Sequence, residues 1–169
     1  QFRANLVMAP QESFLFSTSI GKNIQLGVKT DPSAEKGWQA AKLAVIAEEI
    51  GHFPEQLDTI VGERGITLSG GQRQRAALAR ALAVDPAILL LDDIFSSVDA
   101  HTEAKILENL RDVAKGRTII MVCHRVAALH SADHIYLLDH GEINAQGKHE
   151  QLLQTSELYR NLHSNMAKE

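Results

Sequence analysis

Cysteine is nearly missing from this chain: Cys123 is the only one. That excludes an internal disulfide framework, and the thiol's position closing the apolar run Thr118-Ile119-Ile120-Met121-Val122 suggests a small buried core residue. Long apolar runs are missing too. None approaches the roughly 18 residues that span a bilayer, and no signal peptide is visible. Excess positive charge is absent, since 17 Lys and Arg stand against 21 Asp and Glu. A net charge of −4 and a pI near 6.1 give no global pull toward nucleic acid or an anionic membrane. The eight histidines are scattered, with no HExxH and no paired Cys/His spacing, so the sequence assigns no zinc site. There is no internal repeat and no low-complexity segment.

What is present reads as globular: 44% hydrophobic and 22% charged residues over 169, enough for one domain with a real core. The chain starts Gln1-Phe2-Arg3 without a methionine, so it is expected to be a piece of something longer. Residues 5–9 read as a strand stopped by Pro10, with Gln11 directly after it. Residues 13–31 look loop-rich. Apolar positions at Trp38, Ala41, Val45 and Ile46 predict one amphipathic helix over 34–50, with Glu49 out of pattern and Gly51 just beyond its end. Short apolar runs at 87–92 and 118–123 predict strands buried on both faces of a parallel sheet. A helix over about 101–114 separates them, the spacing of a βαβ crossover. Then follow a short helix, a hairpin about Asp139-His140-Gly141-Glu142, and a helical tail from Lys148 whose apolar face is Leu152, Leu153, Leu158, Tyr159 and Leu162. The class is α/β.

Two stretches carry chemistry. In LLLDDIFSSVDA, residues 89–100, an apolar run ends in adjacent carboxylates, Asp92 and Asp93, with Asp99 following a short Ser-rich turn. Like charges side by side at a strand end are costly unless a cation sits opposite them. In LSGGQRQRAALARAL, residues 68–82, Ser69 and Gln72 have capping-box spacing, and two glycines open the first helical turn. Exposed N–H donors and the positive end of the helix dipole there suit a phosphate, although a glycine-rich cap without ligand has the same local sequence.

Taken together, LSGGQ followed by QRxALARAL, just before a strand ending in two acids, resembles the signature of the ATP-binding-cassette (ABC) ATPases. The resemblance runs from Gln11 to the last helix. It implies a P-loop NTPase (RecA-like) parallel-sheet core with an α-helical subdomain, divided as 1–13 (core strand and Q-loop), 14–84 (helical subdomain with the signature) and 85–169 (core). It implies ATP and Mg²⁺ as cofactors. Ser69, Gly70, Gly71 and Gln72 would bind nucleotide, and Asp92 would hold Mg²⁺ through water. Gln11 would contact metal and attacking water, and His124, at the end of the 118–123 strand, would touch the γ-phosphate. Asp99, in the D-loop Ser96-Ser97-Val98-Asp99, would reach across a dimer interface. As plain helix and strand termini, Asp99 is equally an N-cap and His124 a structural histidine.

The resemblance also implies partners and place. The loop Gly62-Glu63-Arg64-Gly65 and the segment Phe14-Leu15-Phe16-Ser17, with Ser19-Ile20 and Asn23-Ile24, look like those of exporters, although a solvated charged turn would read the same. A transmembrane domain fused upstream, a second ABC ATPase domain and a position on the cytoplasmic face of the cell membrane are then expected, without nucleic acid. No GxxxxGK[ST] phosphate-binding loop occurs; at Gly21-Lys22-Asn23 the candidate fails, because Phe16 and Asn23 occupy the required Gly and Ser/Thr positions. The 169 residues alone are therefore expected to be inactive.

Asp93 stands where the family usually has the glutamate that polarises the attacking water. Its carboxylate reaches about 1–1.5 Å less, and general-base geometry tolerates little such error. The same change is found in the degenerate half of heterodimeric exporters, which favours a heterodimer over a homodimer. Two alternatives remain: a non-transport ABC ATPase, for which the expected coiled-coil insertions or basic arms are lacking, and a regulatory subunit that binds ATP with little hydrolysis.

Overall fold

Leu6–Ala9 form the first strand, β1, and Pro10, which lacks an N–H to donate to a ladder, stops it. The computed structural model describes residues 5–29, 33–62 and 67–166. Residues up to Cys123 form one compact unit and those from His124 a second.

In the first unit, β1 pairs in parallel with β2 (Ile88–Asp92), which pairs in parallel with β3 (Thr118–Val122). Everything from residue 10 to residue 87 is thus inserted between two neighbouring strands. The insertion holds α1 (Ile20–Ile24), α2 (Ala34–Leu43), α3 (Ala47–His52), a 3₁₀ turn at Gln56–Asp58, and α4 (Gly70–Ala83). Helix α4 packs against α1, α2 and β1. Its buried residues are mostly alanine (Ala76, Ala77, Ala79 and Ala81), and small side chains let elements approach it from several sides. The crossover from β2 to β3 is α5 (Ala100–Val113), which buries Ile106, Leu107 and Leu110.

Several expectations are corrected. The helix expected over 34–50 is broken at Ala44–Ile46, where Val45 has φ 54°, a left-handed conformation that is costly for a β-branched residue. Gly51 lies inside α3; the helix ends at His52, because Pro54 drives Phe53 into extended conformation. The loop-rich stretch 13–31 contains the short helix α1, capped by Ser19. Strand β2 buries Leu89 and Leu91, each worth about 1.5–3 kcal/mol, but β3 is not buried on both faces. In register, Met8 pairs with Leu90 and Leu90 with Ile120, and Met8 and Ile120 are half exposed. Cys123 is accordingly half-buried rather than a core residue.

The second unit holds α6 (Val126–Ser131), the antiparallel hairpin of β4 (Ile135–Asp139) and β5 (Glu142–Gly147), α7 (His149–Thr155) and α8 (Glu157–Met166). The turn residues His140 and Gly141 both have positive φ, which a two-residue hairpin turn of type I′ requires. The helical tail is two helices, separated at Ser156, whose hydroxyl accepts from Tyr159 N–H. Ile135, Leu152 and Tyr159 are the core of this unit.

Candidate active site

Asp93 is fixed at three points. Its N–H donates to Val122 O (2.9 Å), carrying the β2–β3 ladder one residue past the strand. Its carbonyl accepts from Gln74 Nε2 on α4 (3.0 Å), and its Oδ2 accepts from Gln11 Nε2 (3.0 Å). The residue sits at φ 43°, a region that aspartate visits more readily than most side chains. Gln11 and Asp93 stand on opposite sides of a long insertion, and the parallel pairing of β1 with β2 brings their backbones together. Asp92, paired with Val122, shares with Leu90 and Ile120 the sheet face that stays open, because side chains alternate faces along a strand.

The signature forms the N-terminus of α4 as its spacing predicts. Ser69 Oγ accepts from Gln72 N–H (3.2 Å) and Gln72 Oε1 accepts from Ser69 N–H (2.9 Å), a complete capping box. The box uses the N–H groups of Ser69 and Gln72, so the first-turn donors it leaves over are those of Gly70 and Gly71. Gly71 has a second reason to be glycine. A Cβ there would lie 2.6 Å from Ser97 O, whereas at Gly70 the nearest atom, Ser97 Oγ, is 3.4 Å away. The glycine therefore admits this chain's own Ser97 loop.

Gln74, to which no motif of the sequence assigns a role, couples these parts. Nearly fully buried, it donates from Nε2 to Asp93 O and to Ser96 Oγ (2.7 Å), and its Oε1 accepts from Ser97 N–H (3.0 Å). One amide thus ties the signature helix to Asp93 and to the loop before α5. The available signal was periodicity: positions 74, 77, 78 and 81 form one buried stripe, and Gln74 is its polar member.

Glu49, the residue out of pattern in the expected helix, is explained by the break at Val45. It accepts from Gln72 Nε2 (2.8 Å) and pairs with Arg75 Nη1 (2.6 Å), while Arg75 also binds Val45 O. Burial pushes the Glu49 carboxyl up, but the hydrogen bonds from Arg75 and Gln72 and the Arg75 charge outweigh this and hold it below the ordinary range. Both ends of the Gln72 amide are therefore engaged within the chain.

Asp99 is the N-cap of α5: its side chain accepts from Thr102 N–H (3.0 Å), and that bond holds its carboxyl below the usual range. His124 opens the second unit and is exposed. Glu63, Arg64 and Gly65 of the charged loop lie outside the described residues. The segment Phe14–Ile24 is explained structurally. Asn23 accepts from Phe16 N–H (2.8 Å) and donates to Phe16 O (2.9 Å), and Arg80 of α4 donates to Asn23 O, Asn23 Oδ1 and Phe14 O. Phe14 and Phe16 stay half exposed in edge-to-face contact, and Ile60, bridged to Ser19, is more exposed still.

The donor set suits Mg²⁺. Asp92 supplies a carboxylate on an open sheet face, and Gln11, whose Nε2 is spent on Asp93, has its Oε1 left as an oxygen donor. Such a hard cation takes one or two protein oxygens and fills its octahedron with water and substrate phosphates, so no larger cage is required.

The family model described as ABC transporter matches residues 1–96. The multidrug resistance-like ATP-binding protein MdlA of Escherichia coli (strain K12) is 44% identical over 162 residues, which are 96% of this chain and 27% of that protein. An ATP-dependent lipid A-core flippase of Haemophilus influenzae is 40% identical over 162 residues, 96% of this chain and 28% of that one. A solved structure of a bacterial Atm1-family ABC exporter with ATP bound superposes with a TM-score of 0.93 at 43% identity, over 99% of this chain and 29% of that chain. The chain thus spans little more than a quarter of the length of these relatives. With the signature helix, the paired acids and the parallel core in the arrangement described, the chain belongs to the ABC transporter family.

Proposed function

We propose that the chain is the ATP-binding and hydrolysing motor domain of a membrane exporter. The observation that carries the reading is the convergence on Asp93 of Gln11, from the end of β1, and Gln74, from the signature helix. The names of the relatives, a multidrug resistance-like protein and a lipid flippase, support export over other uses of the fold. Asp93 accepts a proton from water as that water's oxygen bonds to the γ-phosphorus and the β–γ bridging bond breaks, releasing ADP and phosphate. Gln11 holds the Asp93 carboxylate in place for this step. Asp92 and Gln11 would hold Mg²⁺, which supplies neutralisation of the phosphate charge. By the family resemblance, His124 would be the residue that touches the γ-phosphate.

Gly70 and Gly71 N–H, with the Ser69 hydroxyl, serve a nucleotide held mainly by a second ATPase domain, in a head-to-tail dimer whose interface Asp99 reaches. The division into residues 1–13, 14–84 and 85–169 is supported by the position of α1–α4 between β1 and β2. The exposed Phe14, Phe16 and Ile60 supply an apolar surface for a transmembrane domain fused upstream, which sets this domain at the cytoplasmic face of the cell membrane. The shortened acid at Asp93 favours a heterodimer in which the partner's site turns over faster.

Steady-state phosphate release by the full-length protein, with and without a second ATPase subunit, tests this. Asp93→Asn should lower turnover by ~10²-fold or more, the cost of removing a placed base, if this chain's own site is competent. Asp93→Glu should raise it in a base-impaired site. Hydrolysis unchanged by both substitutions and by the partner would reject Asp93 as the base. The 169 residues alone should show no turnover; measurable hydrolysis would overturn that expectation.

A further inference from the structure

Three histidines that the sequence scatters are gathered by the fold of the second unit. His130 lies on α6, His149 is the first residue of α7, and His163 is on α8. Their separations in sequence match no ligand motif, which is why the sequence assigned no site. In space the ring centroids of His130 and His149 are 4.0 Å apart, of His149 and His163 5.1 Å, and of His130 and His163 5.8 Å. One ligating atom from each lies within 4.8 Å of the other two, the only such grouping of three His, Cys, Asp or Glu side chains among the described residues.

Two further details distinguish this cluster from ordinary ring packing. His163 Nε2 is buried without any hydrogen-bond partner, a costly arrangement for a polar atom unless something else engages it. His149 Nδ1 is 2.8 Å from the hydroxyl of Tyr159, a core residue of this unit. When Nδ1–H donates to that oxygen, the tautomer is set and the lone pair is on Nε2, which is how metal-bound histidines are commonly oriented.

We propose that His130, His149 and His163 form a binding site for a divalent first-row transition metal of the Zn²⁺ type, with three imidazole ligands and a fourth position open to solvent. Imidazole nitrogen suits Zn²⁺, Cu²⁺ and Ni²⁺ rather than Mg²⁺ or Ca²⁺, so the site is chemically distinct from the one at Asp92. Zn–N bonds of about 2.0–2.1 Å in a tetrahedron bring ligand nitrogens to roughly 3.3 Å of one another. The cluster is therefore more open than a loaded site, and it closes by side-chain rotation, for which exposed His130 has the room. A bound ion would fasten α6, α7 and α8 together and would satisfy the orphaned His163 nitrogen. This site is a metal-dependent staple on the unit that follows β3, independent of the ATPase reading.

The test is a titration of the full chain, stripped of metal by chelation, with Zn²⁺ against a chromophoric chelator, and with Co²⁺ followed by its visible absorption. The expected result is one equivalent of Zn²⁺ bound and a Co²⁺ spectrum of tetrahedral intensity. His130→Gln and His163→Gln should each weaken Zn²⁺ binding roughly tenfold or more, and His140→Gln, at the exposed hairpin turn, should leave it unchanged. Zn²⁺ should raise the unfolding temperature of the wild type and not of the two site variants. If His163→Gln fails to fold by circular dichroism, exposed His130→Gln carries the comparison. Absence of saturable binding, or equal affinity in wild type and His130→Gln, would overturn the proposal.

Discussion

Substituting the two signature glycines one at a time separates a packing requirement from a helical one. At Gly71 an added Cβ would stand 2.6 Å from Ser97 O, inside the 3.0 Å that Cβ atoms essentially never breach, and the obstacle is backbone. The loop must retreat by at least about 0.4 Å, yet Ser97 N–H is held by Gln74 Oε1 on the same helix, so it cannot retreat freely. Overpacking of this kind costs about 1–3 kcal/mol. At Gly70 the nearest contact is 3.4 Å from a side-chain hydroxyl, so an added methyl is nearly free of penalty. Both positions share the helix-propensity gain of alanine over glycine, about 0.8–1.0 kcal/mol at most, so it cancels in the comparison. Gly71→Ala should therefore be less stable than Gly70→Ala by about 1–3 kcal/mol, a thermal midpoint lower by roughly 2–12 °C for a chain of this size. Thermal and urea unfolding of the two variants read this directly. Equal midpoints would show that the Ser97 loop is not held against α4, and the account of Gly71 would fail.

Other consequences follow from the same contacts. Gln74→Ala leaves Asp93 O and Ser97 N–H without their buried partner, each worth about 1–3 kcal/mol, and should lower both unfolding free energy and ATP turnover of the intact protein. Gln74→Glu, which keeps the acceptor for Ser97 N–H but sets a buried carboxylate against Asp93 O, should destabilise at least as much. The Glu49 carboxyl lies below its ordinary value of 4.5, so its ion pair contributes stability above that pH and loses it as pH falls through the lower folded value. Glu49→Gln should flatten the dependence of unfolding temperature on pH in that acidic window; an unchanged slope would discount the pair. Arg80→Lys cannot reproduce a planar donor set serving Phe14 O, Asn23 O and Asn23 Oδ1, and should destabilise by about 1.5–3 kcal/mol in denaturant unfolding.

Where the controlling interactions are local, the sequence alone determined the outcome. Ser69 and Gln72 are three residues apart, so their capping box could be read from spacing, as could Pro10 ending β1, Asp99 starting α5 and the hairpin at His140-Gly141. The α/β class followed from apolar runs separated by helix-length segments. Only tertiary structure decided the rest. The helix expected over 34–50 breaks at Val45 because Arg75, far along the chain, binds the carbonyl exposed by the break and pairs with Glu49 beyond it. Strand β3 reads as buried from its composition, but whether a face is covered depends on what packs there, and Ile120 and Val122 are half exposed. Gln74 looked like one more polar helix residue until its amide met Asp93, Ser96 and Ser97, and three scattered histidines became neighbours only when α6, α7 and α8 folded together. Caps and turns are set by φ, ψ and the next few residues, whereas these sites depend on groups brought together by burial, which sequence spacing does not encode.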